Sequence, residues 1–399
     1  MADSYKVLNL SDETLKLSLT GEDSHVFHKP SGQGSLSIGT KGISEGKYDI
    51  WVEEGYPINW EAFNGLYIPA SRNDLHRHPY GDWPRWFYYS GDDAGFISWS
   101  SRRYIEDFTW ILHRGTAVDL TGAHIGRFFL RVPEEPVKLK VGKQIGRLSV
   151  SGRLENLELQ DCGGLTGAVF EHFVPQEGTD AYRLPVFDAL RGALYISIGN
   201  EPMGQPFDCD SLLQFPELTC LSLWGNVTNL AALARLKHLE SLELRYVPDL
   251  RGMPCLGCWA KLNCFIGYNI EETAGKAFRA QLRQLAKERE FAAARVTQLR
   301  KAIWFATEYG IPFSDWEDKK AKAAVRAYKA CLKEVGKAET EDSVRQAVTL
   351  FVRTFNRLPD METVEREDVF TAVDQLVEAA GLGISRETGR AWFDGVREF

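Results

Sequence analysis

Two copies of one pattern constrain this chain more than any other feature. Leu218, Leu221, Leu223 and Asn226 are answered 21 residues later by Leu239, Leu242, Leu244 and Val247. Each copy reads L-x-x-L-x-L, so two leucines on alternate residues share one face of a short strand and the third closes a turn. Asn226 suits a tight bend whose backbone polar groups need an internal partner. A unit this short cannot bury its apolar face alone, so neighbouring copies must stack.

These residues resemble the leucine-rich-repeat family over about residues 145 to 270. The resemblance implies a curved solenoid with a parallel sheet, a surface commonly used to bind another protein. Weaker rungs are read at Leu154, Leu157, Leu159 and Cys162, at Ile196 and Ile198, and at Trp259, Leu262 and Cys264, with an insertion between Phe170 and Leu190. Upstream, the pairs Val118/Leu120, Leu130/Val132, Leu139/Val141, Leu148/Val150 and Leu157/Leu159 are brief alternating strands separated by Gly and Pro bends. Two such strands per coil extend the solenoid back to residue 116.

The N-terminal part reads as strands with turns. Leu15, Leu17 and Leu19 alternate with polar residues, and Leu36/Ile38 and Tyr48/Ile50/Val52 follow after glycine turns, which predicts a small antiparallel unit. Between Tyr80 and Trp110 aromatic residues are dense; they predict a domain core, with Trp86–Tyr89 and Phe96–Trp99 forming a hairpin around Ser90–Gly95.

After residue 270 the apolar period becomes helical. Phe278, Leu282, Leu285, Ala292, Val296, Leu299, Ile303 and Ala306 form a seam broken only by Arg289, which predicts one long helix opened by an Asn269/Glu272 capping box. Four more helices follow: one capped by Ser314 and Glu317, one opened by Thr340 and stopped before Pro359, one lined by Val369 and Val373, and one opened by Ser385. The expected fold class is α+β. It comprises a β-rich aromatic domain (1–115), a leucine-rich-repeat-like β solenoid (116–270) and an all-helical C-terminal domain (271–399).

Chemistry is sparse. His76 and His78 with Asp74, and Cys255, Cys258 and Cys264, carry metal-ligand residue types, but neither set reaches a complete tetrahedral complement. Gly42-Ile43-Ser44-Glu45-Gly46 matches a nucleophile-elbow motif by letter, yet a strand pattern follows where a helix is required. Leucine-rich bacterial effectors with a helical ubiquitin-ligase domain use a C-x-D motif; Ala330-Cys331-Leu332-Lys333 lacks its acid, and Asp208-Cys209-Asp210 lies outside the helical part. No catalytic residue, metal or cofactor is assigned.

The formal charge of −8 falls on the first 270 residues, and no basic run exceeds two residues, which excludes a phosphate-binding nucleic-acid surface. No segment reads as a signal peptide or a membrane span, and seven cysteines in no framework spacing fit reduced thiols in the cytoplasm.

The expected function is therefore non-enzymatic binding of a protein partner by a cytoplasmic, bacterial molecule, through the residues that alternate with the inward leucines. These are Glu155, Glu158, Tyr195, Thr219, Ser222, Trp224, Glu240, Glu243 and Arg245, an acidic ladder with aromatic anchors. The alternatives are an enzyme or glycan-binding protein with its site in the aromatic N-terminal half, and a toxin-neutralising immunity protein.

Overall fold

A column of buried side chains runs through the first part of the chain. Leu36, Phe87, Phe108, Phe128, Leu148, Ala168, Ile196, Leu221, Leu242 and Phe265 each lie directly across from the next on neighbouring strands. The computed structural model describes the whole chain except residues 1–5, 9–11, 70–79, 308, 311, 314–315, 317 and 359–360. It forms two compact units, Met1–Ala302 and Ile303–Phe399.

The column belongs to one sheet of 12 strands. These are β1 (Ser35–Thr40), β2 (Ile50–Val52), β3 (Trp86–Ser90), β4 (Ile105–Ile111), β5 (Ile125–Val132), β6 (Arg147–Gly152), β7 (Gly167–Phe173), β8 (Tyr195–Gly199), β9 (Cys220–Trp224), β10 (Ser241–Arg245), β11 (Cys264–Tyr268) and β12 (Ala293–Thr297). Every neighbouring pair is parallel, and apart from β1 lying between β2 and β3 the order in space is the order in sequence. A parallel pair requires the chain to return between strands. From Phe87 to Ala168 the returns are regular, with partners 20 or 21 residues apart. Three returns carry a second parallel sheet of Ala117–Asp119, Val137–Lys140 and Leu157–Asp161. The closely spaced apolar pairs from Val118 to Leu159 therefore feed two sheets in alternation.

This arrangement overturns the α+β assignment. The molecule is α/β: an all-parallel sheet, continuous from residue 35 to 297, followed by a helical region. Nor is it the leucine-rich solenoid expected over 116–270. The leucine pattern holds at β9 and β10, whereas phenylalanines fill the column in β3 to β5. Leu157 lies in the second sheet, and Phe265 rather than Leu262 continues the register of Leu242. In the N-terminal part, antiparallel pairing among the described residues is confined to Glu13–Leu17 with His25–Lys29 and Leu66–Pro69 with Tyr80–Asp82. The expected hairpin after Ser90 is instead a helix, α1 (Gly95–Ser100), because Asp93 gathers the Gly95 and Ile58 N–H groups and the Trp60 indole.

Most of the aromatic residues are core. Trp60 contacts Phe63, Phe87, Tyr89, Phe96, Trp99 and Phe108. Full burial of each such ring stabilises the fold by about 1.5–3 kcal/mol.

The long helix expected from Phe278 to Ala306 is three elements: α2 (Glu272–Leu285), β12, and α3 (Ala302–Thr307). Arg289, the break in the seam, lies beyond the end of α2, and its guanidinium donates to the carbonyls of Trp259 and Ala260 at 2.7 Å each. The predicted Asn269/Glu272 box is absent. Glu271 caps α2, and Asn269 accepts from Arg300 Nε at 2.6 Å. Phe278 of α2 packs edge-on against Phe265, with centroids 5.2 Å apart.

The second unit holds α4 (Asp318–Val335), α5 (Glu341–Phe355), α6 (Thr363–Ala379) and α7 (Arg386–Asp394) around a core that includes Tyr328, Val348, Phe351, Val373 and Phe393. Thr340 and Ser385 cap α5 and α7 through their hydroxyls, as their positions predict. The Ser314/Glu317 cap and the stop at Pro359 lie outside the described residues. Among the described residues no helix is long and apolar enough to cross a membrane.

Candidate functional site

Side chains alternate across a strand, so each strand of the large sheet that buries one set presents the other on the open face. Along β8 to β11 that face carries Tyr195 and Ser197; Cys220, Ser222 and Trp224; Ser241, Glu243 and Arg245; and Cys264, Ile266 and Tyr268. Of the nine residues predicted for binding, Tyr195, Ser222, Trp224, Glu243 and Arg245 lie here. Thr219 and Glu240 are half-buried and stand one residue before β9 and β10, and the Thr219 hydroxyl donates to the Leu194 carbonyl at 3.1 Å. Glu155 and Glu158 do not join them. Glu155 is in a short 3-10 turn and Glu158 is on the second sheet, because Leu157 pairs with Val137 and not with the large sheet.

The acidic ladder is therefore reduced to an ion pair. Glu243 accepts from Arg245 at 2.6 Å, and Ser222 Oγ donates to the same carboxylate at 3.3 Å. Around this pair stands an aromatic cluster. The Trp224 indole stacks on Tyr246 with centroids 4.6 Å apart and planes at 18°, Tyr246 meets Tyr268 edge-on at 5.9 Å, and the Arg245 guanidinium lies over the Tyr268 ring at 5.6 Å. Trp224 and Tyr195 keep 38% and 36% of their surface exposed, while Tyr246 is buried.

Tyr246 owes its position to a repeated corner. Gly225, Tyr246, Asn269 and Gln298 each follow the last residue of β9 to β12, and their φ angles are 90°, 53°, 50° and 52°. Left-handed backbone favours glycine and costs a bulky residue about 1–2 kcal/mol, so Tyr246 is held there by its packing. Sequence reasoning missed Tyr246 and Tyr268. Taking Leu262 for the register residue hid Tyr268, and nothing in the residue alternation turns a corner residue back toward the face.

The same face carries a second aromatic group on β2 to β5. Trp86 and Tyr88 are exposed, Tyr48 covers Gly39 and touches Trp51 and Tyr88, and Phe129 lies between Thr109 and Ser149. Burial pushes the Tyr88 hydroxyl up, as does Tyr48, against an opposing pull from Arg131. The aromatic stretch is thus mostly core, as expected, and only these few rings on the open face are placed for the alternative of an N-terminal binding site.

The remaining chemical candidates are spread out. Ser90 Oγ lies 2.8 Å from His113 Nε2, a nucleophile–base distance, but Ser90 is buried under Ser44, whose hydroxyl is 2.8 Å from that of Ser90. Ser44 itself sits in a turn bounded by left-handed Gly42 and Gly46, and its oxygen accepts from the Thr40 N–H. These bonds tie β1 to β3 and β3 to the end of β4. Cys264 faces the open side in register with Ser241 and Cys220, not inward as its predicted rung required. Burial raises the Cys258 thiol, with a further push from neighbouring Cys255. Cys162, Cys209 and Cys331 are buried, and burial lifts the Cys331 thiol to about 12. Among the described residues no three His, Cys, Asp or Glu side chains group as a metal site; His76, His78 and Asp74 lie outside them. No family model, curated protein or solved structure matches the chain.

Proposed function

We propose that this chain binds a protein partner through the open face of its parallel sheet, at the end formed by β8 to β11. The observation that carries this reading is the exposed Trp224, backed by Tyr246 and flanked by Arg245 and Tyr268, with exposed Tyr195 farther along the same face. Trp, Tyr and Arg are the residues that dominate interface energies, and a ring already held by a neighbour loses little freedom on binding. Along the same face Ser197, Ser222 and Ser241 supply low polar surface that leaves the approach to Trp224 unobstructed. The resemblance of the Leu218 and Leu239 copies to leucine-rich repeats supports the same use of β9 and β10.

The test places a photo-reactive residue at Ser222 on the open face and, separately, at Lys138 on the second sheet, and compares the proteins each captures from the native cell. A partner captured from Ser222 is then measured kinetically against Trp224→Ala. An affinity loss of about 2 kcal/mol, mostly in dissociation, supports the proposal. Equal capture from both positions, or unchanged affinity with the fold intact, overturns it.

A further inference from the structure

Three arginines near Arg131 on this part of the sheet carry ion pairs. Arg127 is paired with Asp107, Arg114 with Glu54, and Arg153 with Glu134 at 2.9 Å and Glu155 at 3.5 Å. The guanidinium of Arg131, exposed on β5, has no ion-pair or hydrogen-bond partner among the described residues. It lines a cleft of about 340 Å³ where the carboxyl ends of β3 to β7 meet the loops that follow them. The carboxyl ends of parallel strands are where open α/β sheets commonly hold ligands.

The other walls define what would fit. Tyr48 and His113 line the cleft, and the Tyr48 hydroxyl and the second ring nitrogen of His113 are without partners among the described residues. Ile43, Ile111 and Pro133, all half-buried, supply apolar surface. Glu45, Glu134 and Arg153 stand at the same cleft, with Glu134 and Arg153 paired to each other. A planar guanidinium fork matches a carboxylate, and with Arg153 paired to Glu134 the single unpaired guanidinium beside Glu45 suits one negative charge better than a doubly charged phosphate. The volume lies at the lower end of the range for small-molecule sites.

We infer that this cleft binds a small apolar monocarboxylate, with its carboxylate on Arg131 and its body against Ile43, Ile111 and Pro133. The site is separate from the Trp224 surface, and neither proposal depends on the other. The carboxylate comes either from a free acid or from the end of a peptide chain.

The experiment is calorimetric titration of the full chain with N-acetyl-phenylalanine and with its amide, which differ in the carboxylate alone. Triglycyl-phenylalanine, as acid and as amide, tests the peptide source; a tighter acid peptide than acid monomer assigns the ligand to a chain end, and the reverse assigns it to a free acid. The acid is expected to bind about tenfold or more tightly than the amide, and Arg131→Gln is expected to bring the acid down to the amide's level. Arg131→Lys, which keeps the charge without the fork, falls between. Arg147→Gln, on the same face but outside the cleft, leaves binding unchanged. The inference is overturned if acid and amide bind alike, if neither acid binds at about ten millimolar, if folded Arg131→Gln binds as the wild type does, or if phenyl phosphate binds more tightly than the acids.

Discussion

The indole of Trp224 lies flat on the ring of Tyr246, 4.6 Å between centroids, although Tyr246 must hold a left-handed backbone, φ 53°, to be there. Two opposed effects meet at this residue. Replacement by glycine relieves about 1–2 kcal/mol of backbone cost but empties a buried aromatic site, which costs about 3–5 kcal/mol. Tyr246→Gly is therefore expected to destabilise the first unit by roughly 2 kcal/mol, read as a lowered urea midpoint at constant slope. A neutral or stabilising result would show that the stack contributes nothing and that Trp224 is not held in place from behind.

The preceding corner behaves differently because no side chain fits there. Gly225 has φ 90°, and a Cβ on it would stand 1.8 Å from the Asn200 carbonyl oxygen. The backbone of Asn200 and Glu201 must move to admit it. Gly225→Ala is expected to cost about 3 kcal/mol or more, well above the roughly 1 kcal/mol of left-handed strain alone. At Gly252, also left-handed with φ 79° but with nothing within 4 Å of where a Cβ would stand, the same change should cost only the strain. Equal losses at the two sites, measured by urea unfolding, would refute the steric account.

Alternation and capping made much of this legible from sequence. The inward leucines of β9 and β10, the second-unit helices opened at Thr340 and Ser385, and five of the nine expected face residues are where their local patterns put them. Longer-range register was not legible. Period-two pairs such as Leu157/Leu159 look like those of β8, yet they pair with Val137 and Leu139 in another sheet, and only strand pairing distinguishes the two. The helix-like seam through Arg289 failed for a related reason. Val296 and Leu299 are apolar because they pack with the sheet and α2, and their spacing from Phe278 is incidental to any helix. Arg131 gave no signal because its place at the cleft follows from strand pairing between distant segments.

The end of the sheet offers a direct check of where the first unit stops. A chain cut after residue 302 keeps β12 paired to β11 and α2 against Phe265. A chain cut after residue 270 loses both, leaving β11 as an unpaired edge beside an uncovered phenylalanine. Unpaired edges with exposed apolar surface promote association. The 1–302 fragment is expected to remain monomeric and cooperatively folded in light scattering and thermal melts, and the 1–270 fragment to aggregate. A well-behaved 1–270 fragment would move the boundary back to the onset of the helical pattern.

Glu271 ties the start of α2 to pH. Burial pushes its carboxyl up, but the N–H groups of Ala274 and Thr273, each 2.8 Å from its oxygens, outweigh that and hold it below the ordinary 4.5. A carboxyl that titrates lower in the folded state than in the unfolded one contributes stability that is complete above the unfolded value. That contribution is lost as pH falls through the lower, folded value. Removing the cap by Glu271→Ala should cost about 1 kcal/mol at neutral pH. The gap between wild type and variant should narrow as the medium is acidified from about pH 5 toward pH 3, since protonation weakens the cap in the wild type itself. Urea unfolding of both proteins across that window decides the matter. A gap that stays constant with pH would mean that the residue acts through packing, and that the ionised cap contributes no net stability.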